Sequence, residues 1–380
     1  MVAVDADVVV VGAGPAGLAV AACLKKRGVE TIVLDRGQAA GQSWRTRYDR
    51  LHLHTPRAQS RMPDLPIPRR FGRWVSKDDM AQYIDLYARH HGIVPRFGTE
   101  LRRLDRDGDR WVAMDGDTRW TARQVVIATG YSNSPARPLW PGEESFPGDI
   151  VHAADYTSPM PYAGRSVLVV GAGNTGAEIA ADLTEHGARD VRLAVRTPPN
   201  VIPRQLGPVP TTVLAIGMEH APPRLVDPVN RLLQRWALGD LTRFGMPAPE
   251  AGVVEQARRT KVTPTIDVGL VAALRRGDVT PVPALECFDA GEAVLADGSR
   301  FAPDAVIAAT GYTTGLDPIM AHLGVLDPRG RPLATGPRAL PQAPGLRFIG
   351  MSNPLKGQLF QIRLHATAIA KAVAAELRED

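Results

Sequence analysis

Asp7-Val8-Val9-Val10-Val11-Gly12-Ala13-Gly14-Pro15-Ala16-Gly17 decides how the chain is read. The β-branched run Asp7–Val11 has the pattern of a strand buried on both faces of a parallel sheet. Three glycines then form G-x-G-x-x-G. Leu18–Arg27 reads as a helix stopped by Gly28, and Glu30–Leu34 reads as a second strand ending at Asp35. Together these make one βαβ unit. Such a turn offers free backbone N–H groups and the positive end of a helix to a pyrophosphate, and an acid closing the second strand suits a ribose diol. Asp35 stands 23 positions after Gly12, which is the right distance. For one copy alone, a tight strand-to-helix turn without any ligand would be a fair alternative.

The pattern returns. Ser166–Val170 is an apolar strand, Gly171-Ala172-Gly173-Asn174-Thr175-Gly176 follows, Ala177–His186 reads as a helix, and Asp190–Val195 as the next strand. Two copies, each between strand and helix, make a ligand-free account remote. The second copy has no acid at its strand end; Arg196 and Thr197 stand there. An arginine accommodates a 2′-phosphate, so this site reads as one for NADPH, and the first as one for FAD or NAD. Arg192 should face elsewhere on an alternating strand, and a solvated cation is the plain alternative for Arg196. Two redox dinucleotides in one chain imply hydride transfer from nicotinamide to flavin. Two A-T-G-Y segments, Ala128–Tyr131 and Ala309–Tyr312, complete the internal echo.

Outward from these units the pattern is less regular. Tyr48–Arg73 is rich in Pro, His and Arg and reads as a long irregular segment. A helix is expected from Ser76, its N-cap, to about His91, with Asp79 facing back. Short strands fill Thr99–Ala128, turning at Asp107-Gly108 and Asp115-Gly116. Leu206–Pro247 reads as an insertion of short helices, Val268–Arg276 as a helix capped by Asp267, and Glu286–Phe301 as a strand meander. Arg347–Gly350 is a last strand and Leu364–Leu377 a closing helix. The expected fold is α/β, two Rossmann-like dinucleotide-binding domains with the second inserted in the first. Residues 1–160 would begin the first domain, 161–305 form the second with its helical insertion at about 206–247, and 306–380 complete the first.

Composition narrows the function. Of 380 residues, 44% are hydrophobic and 22% charged, enough apolar material for a sizeable core. The net charge is +5 and the sequence pI about 9.4, but the arginines are scattered. That suits anionic dinucleotides rather than nucleic acid. The two cysteines, Cys23 and Cys287, lie far apart. This argues against a disulfide framework, a zinc site or a redox dithiol, and no metal is expected. Val8–Leu24 is apolar, but Asp5 and Asp7 precede it and glycines interrupt it, so it does not read as a signal peptide. No stretch has the roughly 18 apolar residues of a membrane span. The chain reads as cytoplasmic, without nucleic-acid or membrane partners, and a homodimer stays open.

Between the glycine motifs lies Phe146-Pro147-Gly148-Asp149-Ile150-Val151-His152-Ala153-Ala154-Asp155-Tyr156. It matches F-x-G-x-x-x-H-x-x-x-Y and, with both glycine motifs in order, resembles the flavin-containing monooxygenases over nearly the whole chain. Gly41–Trp44, Tyr48–His54, Lys261–Pro264 and Thr310–Tyr312 look especially similar to the plant indole-3-pyruvate monooxygenases of auxin biosynthesis. Baeyer–Villiger enzymes end the motif in Trp, whereas this chain has Tyr156. The resemblance implies a class B monooxygenase using FAD, NADPH and O2. NADPH reduces FAD, a C4a-(hydro)peroxyflavin forms, and one oxygen passes to a small organic substrate, such as an aromatic 2-oxo acid.

Carried over by residue, the resemblance puts Gly12, Gly14, Pro15, Ala16 and Gly17 at the FAD pyrophosphate, with Asp35 and Arg36 beside its ribose. Gln42, Ser43, Trp44, Thr129, Gly311 and Leu359 would also contact cofactor. Gly171, Gly173, Asn174, Thr175 and Gly176 would hold the NADPH pyrophosphate, and Arg196 and Thr197 its phosphate. Phe146, Gly148, His152 and Tyr156 would serve as a linker motif. His54 and Gln358 are the catalytic candidates. Animal-type members carry Asn near the flavin where this chain has His54, and an imidazole there could hydrogen-bond the oxygen species. A loop histidine satisfied by backbone is the equal alternative. Pro354–Leu359 departs from the plant pattern and loosens the tie to indole-3-pyruvate. N- or S-oxygenation, a reductase feeding a protein partner, and a redox sensor are the rival functions.

Overall fold

A computed structural model describes residues 2–116, 118–218 and 221–379. The chain forms two compact units. One comprises Met1–Thr46, Thr55–Ser134 and Tyr312–Asp380, the other Arg47–His54 and Pro135–Gly311. The units thus divide at 134/135 and 311/312, not at 160/161 and 305/306, and the second also takes a short strap, residues 47–54, from within the first.

In chain order the first unit contributes β1 (Val2–Val11), α1 (Pro15–Lys25), β2 (Thr31–Leu34), α2 (Lys77–His90), β3 (Arg103–Asp107), β4 (Arg110–Met114) and β5 (Thr118–Ile127). The second contributes β6 (Asp149–His152), β7 (Ser166–Val170), α3 (Asn174–Glu185), β8 (Asp190–Val195), β9 (Val201–Pro203), α4 (Thr211–Met218), α5 (Pro223–Leu238) and α6 (Val253–Thr260). It continues with β10 (Thr265–Asp267), α7 (Leu270–Arg276), β11 (Val279–Pro283), β12 (Leu285–Asp289), β13 (Glu292–Leu295), β14 (Arg300–Phe301) and β15 (Ala305–Ala308). The chain then returns to the first unit for β16 (Leu346–Phe348) and α8 (Gln358–Glu379).

In the first unit the sheet runs β2-β1-β5-β4-β3, with β16 paired to the second half of β5. Val8, Val9 and Val10 of β1 are fully buried, as expected of a strand covered on both faces. Ser76 caps α2 by accepting the Asp79 N–H at 3.1 Å, and its hydroxyl donates to the Asp79 carboxylate at 2.8 Å. The closing helix begins at Gln358, six residues before the expected start. Its buried row Leu359, Ile362, Ala366, Ile369, Ala370 and Val373 already starts at position 359. Arg347 on β16 is buried and donates to the Pro337 carbonyl (2.9 Å), the Gln124 side-chain oxygen (2.5 Å) and the Glu376 carboxylate, tying strand and helix together.

The second unit is built on a five-stranded parallel sheet, β11-β8-β7-β15-β6, with the antiparallel meander β12-β13-β14 apart from it. β15 lies between β7 and β6. That pairing places Ala305–Ala308 in this unit, although 306 was the expected start of the returning first domain. The insertion is only partly short helices, because α5 runs 16 residues with Pro228 inside it. Helix α6 went unforeseen. Asp227 of α5 caps it across sequence, accepting the N–H groups of Val254 (2.8 Å) and Glu255 (3.1 Å). Gly269, not Asp267, is the N-cap of α7. The Asp267 carboxylate still accepts the Gly269 and Val271 N–H groups at 3.2 and 3.0 Å. No helix among the described residues is long and apolar enough to cross a membrane.

Candidate functional site

Both glycine loops divide their labour in the same way. A Cβ on Gly12 would sit 2.5 Å from the Ala128 carbonyl oxygen, and one on Gly17 only 1.8 Å from the Gly12 oxygen. Gly171 would likewise meet the Ala309 oxygen at 2.6 Å, and Gly176 the Gly171 oxygen at 1.8 Å. The first and third glycines are therefore spent on close packing of turn, strand and helix. A Cβ on Gly14 or Gly173 would meet nothing within 4 Å. These middle glycines face open space at the N-termini of α1 and α3, where a ligand's phosphates can approach the backbone. Each loop also packs on its own A-T-G segment, Gly12 on Ala128 and Gly171 on Ala309. The sequence showed the echo without showing this pairing.

Around the first loop, Asp35 is half-buried and accepts the N–H groups of Ala13 (2.5 Å) and Gly37 (2.7 Å). Arg36 is exposed, bonded to the Asn133 side chain at 2.9 Å and 3.6 Å from Glu100. Gln42, Ser43 and Trp44 form a single helical turn held to the loop through Gly41, whose N–H donates to the Ala13 carbonyl at 3.0 Å. Thr129 follows Ala128 directly, and its hydroxyl oxygen is buried without a partner among the described residues. A buried hydroxyl left unpaired is costly, and a cofactor atom at this loop would satisfy it. Gln358 donates to the Gly350 carbonyl at 2.8 Å. Gly350 in turn abuts Ala16, a Cβ there lying 3.0 Å from that of Ala16. The structure thus gathers Gly12–Gly17, Asp35, Gln42, Thr129, Gln358 and the buried Leu359 about one helix N-terminus.

The second loop differs in its outer residues. Arg196 and Thr197 are exposed just past β8, and Arg196 has no hydrogen-bond or ion-pair partner among the described residues. Arg192 points to the other face, its guanidinium 3.7 Å from the Phe301 ring centroid. Asn174 uses its side chain structurally, accepting the Ile266 N–H at 2.7 Å and donating to the Pro264 carbonyl at 3.1 Å. Its side-chain oxygen and one amide N–H are thereby committed to the Pro264–Ile266 segment. Gly311 has a φ of +89° with open space beside it.

The F-x-G-x-x-x-H-x-x-x-Y residues all have structural employment within the second unit. Phe146 packs on Phe288 at 4.9 Å. A Cβ on Gly148 would strike the Asp304 carbonyl oxygen at 2.5 Å. His152 accepts the Ala154 N–H at Nδ1 (3.0 Å), so Nε2 carries the proton and donates to the Gly311 carbonyl at 3.1 Å. Burial holds this imidazole below its usual value. With both ring nitrogens engaged, His152 is a tie between β6 and the second A-T-G-Y segment, not a base. Tyr156 is buried and donates to Asp182 at 2.7 Å. Burial, reinforced by that carboxylate, raises its phenol.

Sequence reasoning missed a row of acids on α3. Glu178, Asp182 and Glu185 stand at i, i+4 and i+7 and hold the strap 47–54. Arg50 makes two bonds to Glu185, lies 3.8 Å from Asp182 and donates to the Val268 carbonyl at 2.9 Å. Burial raises the Asp182 carboxyl, while the Arg50 bond lowers Glu185. His54 Nε2 lies 2.6 Å from Glu178, which is 3% exposed. Arg204 donates to the Leu53 carbonyl at 2.6 Å, and burial pulls its guanidinium down to about 10. Arg50, His52, Glu178, Arg204 and Val268 line a cavity of about 260 Å³. The only sequence hint of this row was the acid spacing on a helix already expected to face a nucleotide.

Two open glycine loops on two α/β sheets define a flavoprotein oxidoreductase with paired dinucleotide sites. A family model described as pyridine nucleotide-disulphide oxidoreductase matches residues 9–205. The probable indole-3-pyruvate monooxygenase YUCCA3 of Arabidopsis thaliana is 34% identical over 385 residues, which cover 98% of this chain and 87% of that protein. Indole-3-pyruvate monooxygenase YUCCA1 of Oryza sativa subsp. japonica is 36% identical over 323 residues, 84% of this chain and 79% of its own. The flavin-containing monooxygenase from Stenotrophomonas maltophilia superposes with a TM-score of 0.75 at 25% identity, over 98% of this chain and 99% of that one. The chain belongs to the pyridine nucleotide-disulphide oxidoreductase family, within its flavin-containing monooxygenases. It is an NADPH- and O2-dependent monooxygenase with FAD as its flavin. Cys23 is buried and Cys287 half-buried, both as free thiols.

Proposed function

We propose that the enzyme oxygenates a small aromatic 2-oxo acid, indole-3-pyruvate being the first candidate, with FAD at the Gly12–Gly17 loop and NADPH at the Gly171–Gly176 loop. The observation that carries the assignment of cofactors is the difference between the two strand ends. Asp35 closes one with a carboxylate held by backbone N–H groups; Arg196 closes the other with an exposed cation. A carboxylate accepts from a ribose diol and repels a 2′-phosphate, and a guanidinium does the reverse.

FAD, reduced by NADPH, supplies the activation of O2 when bound. The chain's own residues bind and orient. Gly14 and Gly173 let phosphates reach the helix N-termini, Arg196 and Thr197 would clasp the 2′-phosphate, and Gln42, Ser43, Trp44 and Thr129 would border the flavin. The overall reaction on a 2-oxo acid balances as substrate, O2, NADPH and a proton giving the carboxylic acid one carbon shorter, CO2, water and NADP+. The plant relatives' names supply the candidate substrate. Purified holoenzyme given indole-3-pyruvate under ¹⁸O2 should consume NADPH, release CO2 and place one labelled oxygen in the shortened acid. Unlabelled product, or oxygenation of amines or sulfides with indole-3-pyruvate left untouched, would remove the 2-oxo acid from the reading.

A further inference from the structure

We infer that Glu178 is a positioning residue for His54: it fixes the imidazole as the Nε2–H tautomer, so that Nδ1 is the basic atom the strap leaves to a ligand. The inference rests on the proposed reading only in expecting turnover to need that nitrogen. Its geometry stands on the second unit alone.

The Nε2-to-carboxylate distance is 2.6 Å, and the carboxylate is 3% exposed while His54 is 20% exposed. A carboxylate oxygen accepts in such a bond, which assigns the bridging proton to Nε2. Nδ1 makes no hydrogen bond among the described residues, and in the Nε2–H tautomer it carries the lone pair. The groups facing the pair within the second unit are Arg204, beyond β9, and Arg50 and His52 of the strap, all lining the cavity that Glu178 borders. His52 bonds its own segment through Nδ1, 2.8 Å from the Arg50 carbonyl, and Arg50 is taken by Glu185. His54 is therefore the strap's one imidazole with a ring nitrogen aimed by a buried carboxylate. Glu178 lies five residues beyond Gly173 on α3, about 7 Å along the axis. A single rigid helix thus carries both the second dinucleotide's loop and the group that aims His54.

The test uses ¹⁵N-histidine-labelled protein at a pH about two units above the ordinary imidazole value of ~6.5. Long-range ¹H–¹⁵N spectra, with His54→Gln to assign the resonance, should show His54 wholly as the Nε2–H tautomer. In Glu178→Gln the side-chain amide can present either oxygen or nitrogen, so His54 should become a mixture of tautomers while the other histidines keep their spectra. Turnover should fall about tenfold or more, with flavin content and NADP+ affinity unchanged. A wild-type His54 that is Nδ1–H or mixed overturns the inference. So does a Glu178→Gln protein with the pure wild-type tautomer, or a His54→Gln protein with full kcat. If the spectra are as expected but no substrate is oxygenated, the proposed function fails instead, because the tautomer is read without turnover.

Discussion

At the scale of single residues, the glycine loops make the sharpest claims, because three glycines in one motif do different things. Gly14 has a φ of −83° and open space beside it, so Gly14→Ala should lose its flavin and melt at the midpoint of the flavin-free wild type. Gly17→Ala must push a methyl against a backbone oxygen that cannot move aside, at a cost of about 3 kcal/mol or more. It should lose stability first and flavin only as a consequence. Gly173→Ala and Gly176→Ala should repeat the contrast for NADPH. Thermal unfolding of all four, with flavin absorbance for the first pair and NADPH affinity for the second, decides it. If Gly14→Ala retains FAD, the loop does not hold the pyrophosphate. Arg196→Ser should lower kcat/KM for NADPH about 10- to 100-fold, as expected for one charge-assisted contact. NADH turnover should barely change, and an equal loss with both would show that Arg196 does not read the 2′-phosphate.

Among the elements, the parts legible in sequence were those whose partners are near in sequence. A strand, a glycine turn and a helix announce themselves within about 30 residues, and the βαβ units stand where expected. The strap 47–54 has no periodicity of its own, and its anchors on α3 lie more than 120 positions away, His54 to Glu178 by 124. Helix α6 is capped by Asp227, 27 positions before Val254, so no local signal marked its start. The candidate site followed the same division: the glycine turns and the strand ends carrying Asp35 and Arg196 stand where the sequence placed them, but the use of Asn174's side chain to hold Pro264 was not readable. Arg347 is a further long-range tie, and it can be tested. Arg347→Met would leave Gln124 without its donor and break the link from β16 to α8, costing about 2–3 kcal/mol. The cost should appear as a lower unfolding midpoint with the cofactor loops intact. A midpoint within a degree of wild type would mean that apolar packing alone seats α8.

For the whole molecule, acid should be destabilising, and the histidines set where the loss begins. His152 in the second unit and His91 and His365 in the first are all held below the ordinary imidazole value, in each case chiefly by burial. Below about pH 6.5 the unfolded chain takes up protons at these positions while the native state resists them. Their contribution is therefore fully present above that value and is lost as the pH falls through their native values. The Glu185 and Asp105 carboxyls are lowered by their arginine partners and add to the loss, but only further down, below the ordinary carboxylate range. Asp182, raised by burial, works in the opposite direction and in a higher window, adding stability as the pH falls from its native value to the ordinary carboxylate range. The unfolding midpoint should accordingly be flat above about pH 7.5 and decline from about 6.5. Because depressed histidines sit in both units, both should weaken together. His152→Gln should shallow the decline between pH 7 and 5.5 even if it lowers the midpoint throughout, since a lost tie costs stability at every pH whereas a lost titration changes the slope. A midpoint that rises on acidification over that interval, or a slope that His152→Gln leaves unaltered, would show that burial does not suppress protonation of His152.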